Sequence, residues 1–387
     1  MVGRMSRPIA QLMLLFPALA LACSPGADAD TDTDTSGSTG GGSEASDTTA
    51  TDTATDTATD TATDTATPTS TGTEPDTGGE SSGTTGDTAG GQGWPDPEDA
   101  PQYPGEAFAA MQIYDVAAEV WLDEQALMAG LEPAQVVFVG EQHEVPAIHE
   151  LQLWVLQRSL AADATVALGM EHFQRDEQSV IDDYLAGTID AAAFEAAAQP
   201  WAGYAKHWKP LVEAMKAAGR PVLALNVPEE ALDKVYAAFP GRPLDIVNGW
   251  AEGAPFTADL PPRPLAPWSA DYQGYFAGSY DYNTHGKDWG LSYDEALDYF
   301  TDLALIRDDT MGWWISEHAT STGDRLVVVA GDWHVQTGLA TPDSASKFAE
   351  LTARRITTAT PGTLAAVLGQ GFAGRPVADY VLVYTPQ

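Results

Sequence analysis

The chain has one cysteine, Cys23, in 387 residues. An intramolecular disulfide is therefore excluded, and so are thiol catalysis and thiolate metal or haem ligands after that position. Positive charge is the next shortage: 18 Lys and Arg stand against 56 Asp and Glu, a formal net charge of −38. From residue 91 on, 42 acids still face 16 bases. Such a surface repels polyanions, which excludes nucleic acid as a partner. From residue 96 on there is no Gly-x-Ser-x-Gly elbow and no His-Glu-x-x-His motif, so the common α/β-hydrolase and zincin signatures are absent.

Long apolar runs are scarce too. Leu12–Ala22 follows Arg4 and Arg7, is too short to span a bilayer comfortably, and has the layout of a secretory signal. We read residues 1–22 as that signal. Residues 23–95 are mostly Thr, Asp, Ala, Gly and Ser, with a Thr-Asp-Thr-Ala repeat from Thr51 to Thr67. Positions 24–90 hold fourteen acids and no Lys or Arg. Nothing there can bury apolar area to offset the entropy of ordering, so a disordered spacer is expected.

What is present lies in residues 96–387, the right size for one large α/β domain. The run Val136–Val139 reads as a buried strand, and Gly140 then delivers Glu141 and His143. Thr165–Met170 reads as a second strand ending at Glu171 and His172. Val222–Leu225 ends at Asn226, and Leu326–Ala330 ends in Gly331-Asp332-Trp333-His334. Helical patterns separate these strands: one from Pro146 to Leu160, one over Pro210–Ala218 and a long one from Tyr293 to about Thr320. Tyr380–Tyr384 reads as a final edge strand. The expected fold class is α/β: a mostly parallel central sheet with helices on both faces. Ligands of such sheets bind beyond the carboxyl ends of the strands, so the expected site is there.

Between the third and fourth strands, Gly241 to Lys287 is rich in Pro, Gly and aromatics, and reads as a long excursion covering something. Trp201, Tyr204 and Trp208 form a separate aromatic group. Two function classes follow. The aromatic excursion could supply an apolar slot for a bound cofactor, with Tyr272, Tyr275, Tyr280 and Tyr282 as candidate contacts. Arg175, Asn226 and His285 are further candidate cofactor contacts. Alternatively, Glu141, His143, Glu171 and His334 form an N/O set for a divalent metal that activates water, with Arg307 stabilising developing charge. The plainer alternative for each is a helix cap or a packed side chain.

Taken together, these motifs resemble the ChaN-type haem-binding lipoproteins. The resemblance rests on Gly140-Glu141-Gln142-His143 with His149 and Gln152, and on Gly169 to Arg175 with Gln178. Asn226-Val227-Pro228, His285-Gly286, Arg307 to Met311 and Gly331 to Val335 follow in order. It spans about residues 110–345. Glu229 stands where a basic residue is common, and His172 where Met is common. The resemblance implies haem binding, haem or iron uptake, pairing of two copies around stacked haems, and tyrosine ligation, for which Tyr272, Tyr275, Tyr280 and Tyr282 are the candidate haem ligands. The wider superfamily adds erythromycin-esterase-like hydrolases and Tiki-type metal-dependent proteases. Leu19-Ala20-Leu21-Ala22-Cys23 also resembles a lipoprotein signal, with Ala20 in the place usually held by Leu. That implies a lipid anchor on Cys23, and Ser24 after it implies the outer membrane. The expected protein is a haem- or iron-binding cell-surface lipoprotein, with a metal-dependent peptidase or esterase as the alternative.

Overall fold

The computed structural model describes residues 101–387. The signal, Cys23 and the tether lie outside the described residues. Eight strands form one sheet: β1 (Phe108–Asp115), β2 (Val120–Leu122), β3 (Val136–Glu141), β4 (Ala167–Gln174), β5 (Val222–Asn226), β6 (Leu326–Gly331), β7 (Ala353–Ala359) and β8 (Tyr380–Pro386). Their order is β2-β1-β8-β7-β3-β6-β4-β5. The five pairings from β8 to β5 are parallel, and β1 pairs antiparallel with both β8 and β2. The fold is α/β, as the alternation of strands and helices requires.

Alternation along the central strands explains both faces. Val137 and Val139 of β3, Leu168 and Met170 of β4, and Val327 and Val329 of β6 pack under the helices Pro146–Ala162 and Lys209–Ala218. Val136, Phe138, Ala167, Val328 and Ala330 face the other way, onto Met311, Ile315 and Ala319 of the helix Tyr293–Thr322. This helix starts at a capping box, Ser292 with Glu295, and stops at Gly323 in the left-handed region. Its first half leaves the sheet. Ala296, Tyr299, Phe300, Leu303 and Ile306 join Tyr272, Phe276, Leu244 and Leu260 in a second core. The excursion is thus three short helices, Pro243–Asn248, Ala270–Ser279 and Tyr282–His285, wrapped on one long one. Among the described residues, no helix is long and apolar enough to cross a membrane.

Two expectations need correction, and one strand was not expected. β8 is not an edge strand: it lies between β1 and β7, buried from Tyr380 to Tyr384. β7 carries two arginines and two threonines in place of an apolar run, which hid it from a reading of hydrophobicity. β4 runs on to Gln174, so Glu171 and His172 lie inside a strand and not beyond it. The pairing of β4 with β5 is irregular between Met170 and Gln174, where the strand carries these two polar residues.

Candidate functional site

Glu141 is the last residue of β3 and is 2% exposed. Its carboxylate oxygens are crowded with donors. His143 Nδ1 lies 2.7 Å and His172 Nε2 2.9 Å from Oε1. Gln152 Nε2 donates to Oε2 at 2.8 Å and Trp208 Nε1 at 3.1 Å, with His149 Nδ1 at 3.5 Å. An ionised carboxylate only accepts, and it offers about four places. Burial alone would raise this carboxyl, but His172, His143 and His149 outweigh it and hold it well below the usual range. With its lone pairs used, Glu141 orients the imidazoles around it; it is not a free base.

Facing an acceptor fixes the tautomers. His143 turns an N–H to Glu141 and leaves Nε2 outward. Its side chain is 26% exposed, whereas His149 and His172 are buried. Burial pulls the His143 imidazole down, but the bond to Glu141 raises it overall. Gly331 of β6 pairs in register with Glu141. A β-carbon on Gly331 would sit 3.4 Å from His143 Nε2 and 3.6 Å from Glu171 Oε2. The missing side chain therefore leaves a cradle between an imidazole nitrogen and a carboxylate oxygen.

Glu171 belongs to a second cluster. Its Oε2 accepts the Gly331 N–H at 2.8 Å, and its Oε1 lies 3.4 Å from His334 Nε2. The other His334 nitrogen, Nδ1, is 2.8 Å from Asp308 Oδ1. Asp308, wholly buried in the long helix, also accepts from the Tyr272 phenol at 2.6 Å and from the Thr341 hydroxyl. Burial would lower His334, but Glu171 and Asp308 push it up to about 10, so it is an imidazolium at neutral pH. Burial opposes ionisation of Glu171 as well, and His334 overcomes it, holding the carboxyl far below its usual value. Asp332 packs below: its carboxylate fills the space of a side chain at Gly140, accepts from Thr357 at 2.8 Å, and is raised by burial to about 6.

The structure therefore brings Glu141, His143, Glu171 and His334 together, in two clusters that meet at Gly331. Glu141, His143 and His172 offer ligand atoms within 4.8 Å of one another, an N/O set that would fit a first-row divalent metal in place of the imidazole protons now facing Glu141. His172 was missed as a site residue. Neighbours on a strand point to opposite faces, so Glu171 and His172 serve different clusters. Trp208 and Asp308 were missed as well. Trp208 stood out only as part of an aromatic group and Asp308 only within the Arg307 to Met311 motif, and nothing local ties either to the strand ends.

Other candidates lie elsewhere. Arg307 hydrogen-bonds the Tyr236 phenol in the second core. Arg175 donates to the Ala224 carbonyl and to Gln178, stacks 3.7 Å from the Trp314 ring, and lines a cavity of about 270 Å3 beside β5. Asn226 donates to the Glu171 carbonyl at 3.1 Å, which fixes that stretch of β4. Tyr272 is spent on Asp308, Tyr275 donates to the Trp333 carbonyl and Tyr282 to the Leu291 carbonyl. Tyr280 packs between Phe276 and Phe300. Tyr272, Tyr280 and Tyr282 pack into the second core, and Tyr275 stacks on Trp333. The side chain of His285 lies outside the described residues.

A family model described as haem-binding uptake, Tiki superfamily, ChaN matches residues 127–344. The chain belongs to this family. No curated protein matches it. Among solved structures, it is similar to ChaN of Campylobacter jejuni, described with cofacial haem binding. That similarity is 14% identity with a TM-score of 0.49, over 71% of this chain and 97% of the other. It is also similar to the erythromycin esterase EreC in an open conformation, at 12% identity and a TM-score of 0.39, over 71% and 83% of the two chains. The type III effector HopBA1 gives 8% identity and a TM-score of 0.35, over 65% and 88%. Likeness at this level bears on neither ligand nor reaction.

Proposed function

We propose that the protein binds haem or iron at the bacterial cell envelope and serves haem or iron uptake. Lipid on Cys23 holds it to the outer membrane through the acidic spacer. Membership of the haem-binding uptake family over residues 127–344 carries this reading. Haem requires an axial ligand and an apolar surface. The phenols of Tyr272, Tyr275 and Tyr282 are occupied within the chain, so they do not fit that role. Tyr293, 45% exposed at the start of the long helix beside Tyr280 and Tyr282, is the phenol we assign to it. A surface haem held there would be covered by a second copy of the chain.

A second reading, a metal-dependent hydrolase, is favoured by one observation: the Glu141, His143 and His172 donors already converge. A divalent metal there would supply an activated water. Glu141 would orient the imidazoles, and His143 would present its exposed edge to the substrate. Titration of the purified protein with haemin, beside elemental analysis of untreated protein, separates the two. A saturable Soret shift lost in Tyr293→Phe supports haem carriage as stated. A shift that survives Tyr293→Phe removes that ligand. No haemin binding, with near-stoichiometric metal lost in His143→Ala and His172→Ala, turns the conclusion to the hydrolase.

A further inference from the structure

Beyond the Glu141, His143 and His172 set, two more histidines carry unspent nitrogens. His149, on the helix Pro146–Ala162, and His207, on the short helix Tyr204–His207, are 4% and 5% exposed. Their ring centres are 4.5 Å apart. Gln152 gives its amide N–H to Glu141, so its carbonyl oxygen faces His149 Nδ1 at 3.0 Å and must accept from it. His149 Nδ1 is thereby the protonated nitrogen, and Nε2 carries a bare lone pair. That Nε2 is buried without a partner, and so is His207 Nδ1. Buried polar atoms are rarely left unpaired, and each case calls for an explanation.

We propose that His149 Nε2 and His207 Nδ1 form a binding site for a late first-row cation such as Zn2+, separate from the Glu141, His143 and His172 set. Imidazole is the preferred donor for such ions. An ion bound about 2 Å from a nitrogen of each ring puts the ring centres within about 5 Å of each other, which the 4.5 Å separation allows. The second shell is also in place. Metal-binding histidines donate their other N–H to an oxygen, as His149 does to Gln152, itself anchored on Glu141. Trp208 fixes both rings: its centre lies 5.2 Å from His149 and 5.6 Å from His207, and its own N–H is held by Glu141. Gly203, at φ +86°, lets the His207 ring tuck in, since a β-carbon there would meet its Cδ2 at 2.9 Å. Two nitrogens leave two positions of a tetrahedral shell open. This site does not depend on the haem reading.

The test is a Co2+ titration of the metal-stripped full chain, with bound metal counted after dialysis. The expected result is one equivalent fewer in His207→Phe than in wild type. His143→Ala loses a different equivalent if the strand-end set also binds metal, so failure of either site is seen separately. A wild-type chain that binds no Co2+, or whose count is unchanged in His207→Phe, overturns the proposal. Because His207→Phe could disturb folding, the 15N resonance of His207 Nδ1 in wild type is followed while Cd2+ is added. A large shift supports direct ligation, and an unmoved resonance overturns it.

Discussion

Two clusters at the strand ends use the same residue types in opposite proportions. Around Glu141, one carboxylate stands among three imidazoles. Around His334, one imidazole stands between two carboxylates. The proportions decide the charges. Burial drives His149 down to about 4, so it is neutral, whereas Glu171 and Asp308 drive His334 up to about 10. A buried histidine has no fixed character: the number of anions facing it sets its proton. The cluster around Glu141 keeps a neutral imidazole, His149, with an open nitrogen suited to a cation, and the one around His334 is a closed ion network.

The comparison is broken most severely by removing its centre. Glu141→Gln should lower stability by about 3–5 kcal/mol in urea unfolding, since the buried donors lose their anion. A loss under about 1 kcal/mol would show that the imidazoles do not depend on it. Next comes pH. His149 has a folded pKa below its unfolded one, so between about 6.5 and 4 the unfolded chain gains a proton the folded chain refuses, and stability falls on acidification. His334 is the reverse: its contribution is complete below about 6.5 and is lost as pH rises to about 10. Melting temperatures from pH 4 to 10 should therefore lose part of the acid limb in His149→Gln and part of the alkaline limb in His334→Gln. Variants that flatten the opposite limbs would reverse the assignment.

Tyr272→Phe is a milder cut. It removes one donor from buried Asp308 and should cost about 1–3 kcal/mol. It should also leave haemin binding unchanged, because its phenol is held by Asp308 and is not the ligand we propose; a lost Soret shift would contradict this. The baseline is Lys234→Ala. That side chain pairs with Glu230 across one exposed helical turn at 3.9 Å, and the change expected is about 0.5 kcal/mol or less.

Much of this arrangement was legible along the chain. The runs in β3 and β6 are apolar on both faces, as central parallel strands must be, and their ends located Glu141, His143 and His334. The second core was not legible. Its aromatics looked like a ligand slot because composition records apolar rings, not what they pack against. β7 was hidden for the opposite reason: Thr357 and Thr358 are buried, and Thr357 bonds Asp332 across the sheet end.

The sequence by itself determined the class of fold, the end of the sheet that carries the chemistry, and the family motifs that mark it. These depend on local periodicity and on short, contiguous stretches. Only the tertiary structure decided which carboxylate faces which histidine, and hence which imidazoles are charged, neutral or left with an open nitrogen. Glu171 and His172 are adjacent in the chain yet belong to different clusters, while Glu141 and Trp208 are 67 residues apart and share a hydrogen bond. Proton occupancy follows the field of such distant partners, and no local pattern records it.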